Sequence, residues 1–462
     1  MTRTLLTLAV GVLVLTGASA QQPTAPSAPP GAAAPLPPAA QQPSEVVTTI
    51  SSGETGAPPR FAVPDFIALS NDAETVEAAK TIGRVLWDDL NFEHEFALIP
   101  RDTYASIPAT TSLSAVPLDR WRELGADGVI IGSVQKVASG IRIEARLVNV
   151  RTRQTAFGRE YSGAVANRRL FAHTIADDIH QQQRALRGVA RTKLTFNSDR
   201  SGERVTGPES RPVKEVFIAD YDGENQRQVT TNRSLNIHSV WSPDGRTLAY
   251  TSYRNGLPNI FLANIYEGTG GPLTKAVGQN WLPTFSPDGT RIAFSSTRDG
   301  NTEIYVANRD GSDLRRLTNH GAADISPTWS PSGAQIAFTS DRTGAPQIYV
   351  MGTDGLGLQR ITTEGYADRP TWSPAPYNEI AYASRTGPGN DIKVKELATG
   401  QVRQLTFGEG TNESPAFAPN GRHLAFMSTR AGKSQIFTIA RDGRDLRQVT
   451  RQGNNYQPDW SR

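Results

Sequence analysis

A short string, Trp or Phe followed by Ser-Pro-Asp-Gly, recurs along the second half of the chain and restricts its fold more than any other feature. It stands as Trp241-Ser242-Pro243-Asp244-Gly245 and Phe285-Ser286-Pro287-Asp288-Gly289, then in varied form at Trp329, Trp372 and Phe417, and Trp460-Ser461 closes the chain. A second mark keeps the same period. Thr230, Thr274, Thr318, Thr362, Thr406 and Thr450 each follow a hydrophobic residue and stand 44 residues apart. A period of about 40–45 residues with several short strands per unit marks a propeller, because one such sheet cannot bury its hydrophobic faces alone.

Turn chemistry and alternation delimit the strands of one unit. Residues 327–330 form a short first strand, followed by a turn in which Pro331 and Gly333 supply the dihedrals. Residues 335–340 (QIAFTS) and 347–350 (QIYV) form the second and third strands, and residues 358–362 end the blade. Five complete units follow a partial one that starts at Lys193 and lacks its first strand. The missing strand stands at the other end of the chain, at residues 457–461. The expectation is therefore six blades, with the C-terminal strand zipped into the blade begun near residue 192 so that no sheet edge stays open at the seam. About ten extra residues between Arg200 and Lys214 predict a longer loop in the first blade. The repeated aromatics read as core between blades. The Ser-x-Arg motifs at Arg200, Arg254, Arg298, Arg342 and Arg430 read as structural turn residues.

The first half divides differently. Residues 1–20 carry Arg3, an apolar run from Leu5 to Leu15 and an Ala18-Ser19-Ala20 cleavage signal, which together predict a removable export signal. That run is well short of the roughly 20 residues needed to span a bilayer. Residues 21–43 are Gln, Pro and Ala with little to bury, and read as an extended tether. Residues 44–188 hold an extended segment and a small mixed α/β domain, and residues 189–462 the propeller. Within the α/β domain the patterns predict a strand over 60–66, a helix opened by an Asn71–Glu74 capping box and running through Leu90, and a strand over 96–99. A helix over 117–124 stopped by Gly125, strands over 128–134 and 141–147, and a final helix over 167–187 complete it.

Catalytic patterns fail. There is no cysteine, so thiol catalysis, disulfides and thiolate metal sites are excluded. No Gly-x-Ser-x-Gly elbow occurs, and Ala431-Gly432-Lys433-Ser434 has Met427 where a P-loop needs its first glycine. His173, Asp177 and His180 share one face of the last predicted helix, opposite Leu170, Phe171, Ile175 and Ile179, and are expected to be solvated rather than to bind metal. A formal net charge of +3, evenly spread, gives no electrostatic footprint for nucleic acid. No catalytic residue, cofactor or metal is expected, and no membrane insertion of the exported chain.

The repeat W/F-SPDG-x-x-IAF-x-S-x-R, the order of parts, the segment Glu45 to Gly53 and the stretch Leu124-Gly125-Ala126-Asp127-Gly128-Val129-Ile130-Ile131-Gly132 together resemble the TolB family of the Tol–Pal system. The tether departs from it, since in the family the extended segment starts close to the cleavage site. The resemblance implies a periplasmic, non-enzymatic protein linking inner-membrane Tol proteins to the outer-membrane lipoprotein Pal, in support of outer-membrane integrity and its invagination at division. It implies two partner sites. A TolA-like inner-membrane protein would meet the segment Glu45, Val46, Val47, Thr48, Thr49, Ile50, Ser51 and Ser52, unless that segment folds back on the protein itself. A Pal-like lipoprotein would meet the propeller mouth, at Asn236, His238, Gln279, Asn280, Trp281, Asp324, Asp368, Arg369, Asn412, Glu413, Asn455 and Tyr456, residues expected in the loops ahead of each repeated aromatic. Trp281 is the expected anchor because it falls outside the repeat. The alternative is a periplasmic propeller enzyme or small-ligand binder that uses the axial channel.

Overall fold

The computed structural model describes residues 48–52, 56–205, 210–274 and 277–461. The export signal, the tether and Glu45, Val46 and Val47 lie outside them.

The α/β domain is one mixed sheet with helices on both faces. Strands β1 (Arg60–Ala62) and β2 (Ile67–Ala68) both run parallel to β4 (Gly128–Val137), which pairs antiparallel with β5 (Gly140–Asn149) and so on to β6 (Thr155–Gly163). Strand β3 (Ala97–Leu98) pairs parallel with β1. The strand expected over 60–66 stops at Ala62, ahead of Pro64, which has no N–H to give a ladder, and a second short strand follows only from Ile67. Strand β6 was not legible in the sequence. A register shift at Leu147/Val148 turns both Ala156 and Phe157 inward, which breaks the alternation.

Helix α1 (Ala73–Glu93) is capped by Asp72, whose Oδ1 accepts from the Thr75 N–H at 3.1 Å, one residue later than the Asn71–Glu74 pairing. Helix α2 (Leu118–Glu123) gives way to Gly125 at φ +86°. Helix α3 (Arg168–Arg184) ends at Ala185 in the left-handed region, before residue 187. Helices α1 and α3 share a core with the sheet through Ile82, Leu86, Ile143, Ile175 and Ile179, while Trp121 of α2 packs with Val129, Ile131 and Val148.

Six four-stranded antiparallel sheets follow, a six-bladed propeller. Blade 1 consists of Lys193–Ser198, Glu215–Asp220 and Arg227–Gln228 with Asn455–Trp460 as its innermost strand. Blades 2 to 6 open with innermost strands Asn236–Trp241, Asn280–Phe285, Asp324–Trp329, Ala367–Trp372 and Asn412–Phe417. At the seam, the Trp460 indole N–H donates to Thr192 Oγ1 at 2.7 Å and the Lys193 N–H to Ser461 Oγ at 2.8 Å.

Both repeat marks have a structural cause. Each aromatic closes the core against the preceding blade: Trp329 packs on Ile304 and Val306, and Trp372 on Ile348 and Val350. Each threonine ties the fourth strand to the third. Thr450 accepts from the Ile436 N–H at 2.8 Å and donates to Gln435 Oε1 at 2.7 Å, and the same pair of bonds recurs from Thr230 to Thr406. The Ser-x-Arg arginines lie over the aromatics of the second and third strands, as Arg342 does over Phe338 and Tyr349.

The α/β domain rests on the turns of blades 1 and 6, and here one expectation is overturned. His173, Asp177 and His180 are buried, not solvated, whereas Leu170 is exposed. Their face of α3 meets α1 and the propeller. His173 Nδ1 lies 2.9 Å from Asp89 Oδ2, and Asp89 also accepts from Tyr221 of blade 1. Asp177 accepts from the Ala190 N–H of the connecting segment at 3.0 Å. A helical period finds the polar face but not the second body that covers it.

Candidate functional site

The ends of the strands away from the α/β domain form the open mouth of the ring. The innermost strands begin earlier than the sequence suggests, so Gln279 alone of the twelve expected mouth residues precedes its strand. That shift changes what the others do. Asn236, Asn280, Asp324, Asn412 and Asn455 are fully buried. Four of them reach back to the preceding blade: Asn236 donates to Glu215 at 2.9 Å, Asn280 to Asn259 at 3.1 Å, Asn412 to Asp391 at 3.1 Å and Asn455 to Gln435 at 2.9 Å. Asp324 takes two bonds from Arg342, at 2.9 and 3.0 Å. The four asparagines hold blades together, Asp324 braces its own blade, and none of the five presents its side chain to a partner. This corrects their placement on the rim.

His238, Trp281, Asp368, Arg369, Glu413 and Tyr456 are half-buried and Gln279 is exposed. Tyr456 carries the Lys214 ammonium 3.4 Å from its ring centroid. Asp368 accepts from Thr339 at 2.9 Å and from the Tyr366 hydroxyl at 3.1 Å, and Glu413 accepts from Asn390 at 2.9 Å. Burial pushes the Tyr366 phenol up to about 12, aided by the Asp368 carboxylate. His238 is held neutral, first by burial and then by the Arg369 and Lys214 cations.

Two features escaped the sequence. First, all six innermost strands carry a β-bulge at a non-glycine residue in the left-handed region: His238, Leu282, Ser326, Arg369, Ser414 and Gln457, with φ between 52° and 56°. The bulge turns these six residues toward the axis, where they ring the channel. The signal was present as a proline after five of them, but proline alone does not announce a bulge. Second, three exposed apolar side chains belong to loops at this end: Phe407 (73% exposed), Val277 (59%) and Leu257 (52%). Phe407 follows the repeated threonine, where the other units have Thr231, Lys275, Asn319, Thr363 and Arg451. That break in the polar pattern was the available clue.

The channel is narrow. Its volume is about 130 Å³ at the bulge ring and about 110 Å³ toward the repeated aromatics, against roughly 300–1,000 Å³ for ordinary small-molecule pockets. A groove of about 750 Å³ in the α/β domain is lined by Val76, Tyr104, Ile107 and Trp121. Its Arg101 and Tyr104 are already bonded to Val63 and Asp65. No group of three His, Asp or Glu suited to a metal occurs among the described residues.

The described part of the N-terminal segment lies along the α/β domain. The Ile50 N–H donates to Gln183 Oε1 at 2.9 Å, and Gln183 Nε2 donates to the Thr48 carbonyl at 3.1 Å. Ile50 is 4% exposed and joins the main core, while Thr49 and Ser51 face solvent. Ile50 is therefore not on offer to a partner's sheet edge in this conformation, contrary to the extended docking strand. Ser52 bonds the Ala57 carbonyl at 2.7 Å.

A family model described as the TolB beta propeller domain matches residues 184–462, and one described as the TolB amino-terminal domain matches residues 47–156. The Tol-Pal system protein TolB of Desulfosudis oleivorans is 34% identical over 228 residues, 48% of this chain and 50% of the relative. Its counterpart from Cereibacter sphaeroides is 32% identical over 230 residues, 49% of each chain. The chain spans about half the length of these curated relatives. The crystal structure of TolB from Acinetobacter baumannii superposes with a TM-score of 0.73 at 25% identity, covering 88% of this chain and 97% of that one.

Proposed function

This chain belongs to the TolB family, and on that premise we propose that it is a periplasmic, protein-binding component of the Tol–Pal system, working without turnover. Its propeller mouth receives a Pal-like outer-membrane lipoprotein, and its N-terminal segment meets a TolA-like inner-membrane protein. Through these contacts it supports outer-membrane integrity and its invagination at division. No helix among the described residues is long and apolar enough to cross a membrane.

One observation carries the mouth reading. Phe407 stands exposed in the loop entering blade 6, Val277 in the loop entering blade 3 and Leu257 in a hairpin loop of blade 2, all at the end the α/β domain leaves open, where Trp281 is half-buried. Aromatic and aliphatic anchors amid polar neighbours suit a protein interface, and a channel of about 130 Å³ favours a partner seated on the rim over a ligand inside. Binding of the soluble domain of a peptidoglycan-associated lipoprotein to the whole chain, followed by surface plasmon resonance, tests it. Phe407→Ser with Val277→Ser should weaken binding about tenfold or more while thermal melting stays put. Undiminished affinity would remove this rim from the interface. A calcium titration by calorimetry addresses the small-ligand alternative, which predicts a saturable heat.

A further inference from the structure

Four of the six histidines of the chain, His94, His173, His180 and His423, gather where the α/β domain meets the propeller. At the centre of that joint the Arg422 guanidinium of blade 6 meets Glu93 at the end of α1, at 2.5 Å. Glu93 also accepts from Asn420 at 3.0 Å and from the Val189 N–H at 2.7 Å. His423 follows Arg422 in blade 6, and His180 of α3 faces the same Arg422; the two rings are 2% and 1% exposed.

Both rings are built to be neutral. His423 Nε2 lies 2.9 Å from the Phe92 carbonyl, so Nε2 carries the proton, and the ring stacks on Phe92 at 4.1 Å. Its Nδ1 is buried without a partner. His180 Nδ1 lies 3.2 Å from the Ala176 carbonyl, and its Nε2 is likewise buried without a partner. A second proton on either ring would create a buried cation whose new N–H meets no acceptor. The charged groups around them do not favour one. His423 faces Arg422 just before it in the chain, Arg447 from the fourth strand of the same blade, and His94, itself paired with Asp445, from the end of α1. His180 faces Arg422 from the propeller, Asp177 on its own helix and Glu95 after α1.

We propose that this joint is an acid-operated latch: neutral His180 and His423 hold the α/β domain against the propeller, and their protonation lets the two separate while each stays folded.

The direction follows from linkage. Burial, then Arg422, holds His180 down at about 4, and burial with the cations Arg422 and Arg447 holds His423 at about 3, against 6.5 in solvent. Groups so depressed stabilise the closed joint fully above about pH 6.5 and lose that contribution as pH falls toward their closed-state values. Glu93 opposes them. Burial raises it to about 7, so acid relieves its desolvation between about pH 7 and 4.5. Two histidines outweigh one carboxyl over that window, and below about pH 4.5 only the histidines still respond. His173, kept protonated by Asp89 and Asp220, stays charged throughout.

The absence of native cysteine makes the test direct. The full chain carrying Thr111→Cys and Lys433→Cys, labelled with a donor–acceptor pair, is titrated from pH 7.5 to 4 by energy transfer, with far-UV circular dichroism in parallel. Transfer should change reversibly while the sheet signal holds. His423→Gln and His180→Gln, which keep an amide donor but do not titrate, should each move the midpoint down by about one pH unit, and His320→Gln, in a mouth loop, should not. If transfer holds steady until the sheet signal collapses, or the midpoint is the same in whichever of the two Gln variants folds, there is no such latch. A midpoint that moves only with Glu93→Gln would equally overturn it.

Discussion

Thr450 shows how much one hydroxyl can do in a repeat. It closes the gap between two strands by accepting from the Ile436 N–H and donating to Gln435, with both partners buried. Thr450→Val keeps the shape and strands both groups, so a loss of about 1–3 kcal/mol is expected, read by urea denaturation, and Thr450→Ser should recover most of it. A loss as large in the serine variant would mean that the methyl group, not the hydroxyl, matters. His173 gives a prediction of opposite pH sign to the latch histidines. Burial by itself would lower it, but Asp89 and Asp220 outweigh burial and raise it to about 10. Its contribution is complete below about pH 6.5 and fades as pH rises through 10. His173→Gln should cost about 3–5 kcal/mol near neutrality, with the gap to wild type narrowing as pH approaches 10. A gap independent of pH would show that His173 packs there as a neutral ring.

Strands and aromatics act through the element they complete. The innermost strand of blade 1 is Asn455–Trp460, some 260 residues from its partner Lys193–Ser198. Removing residues 456–462 strips that blade of its inner strand and exposes the edge of Lys193–Ser198. Melting should drop sharply and lose cooperativity, and an unchanged melting temperature would mean the seam contributes nothing. Two tryptophans separate core from rim. Trp329 is buried between blades, so Trp329→Ala should cost about 3–5 kcal/mol. Half-buried Trp281 should cost less in stability and show its effect in partner affinity.

For the whole molecule, the two proposed partner sites lie on different bodies, the mouth on the propeller and residues 48–52 on the α/β domain. Ile50 fastens that segment. Ile50→Ser should destabilise the α/β domain by about 1.5–3 kcal/mol and speed hydrogen exchange at residues 48–52. If docking requires the segment to leave Gln183, the same change should strengthen binding to the inner-membrane partner, because the bound form no longer competes with a buried one. Weaker binding would mean Ile50 works in place.

The count of blades, the order of domains and the core aromatics were legible because a repeat exposes its own register: residues 44 apart must occupy equivalent sites, and turn glycines and prolines mark where strands stop. What the repeat could not show was which equivalent polar residues face water. Asn236 and its counterparts look like loop residues, yet the strand reaches back to include them and the neighbouring blade buries them. His173, Asp177 and His180 were read as a solvated face for the same reason. Local periodicity tells a residue's side of its own helix or strand. What covers that side depends on chain hundreds of residues away, and only packing in three dimensions decides it.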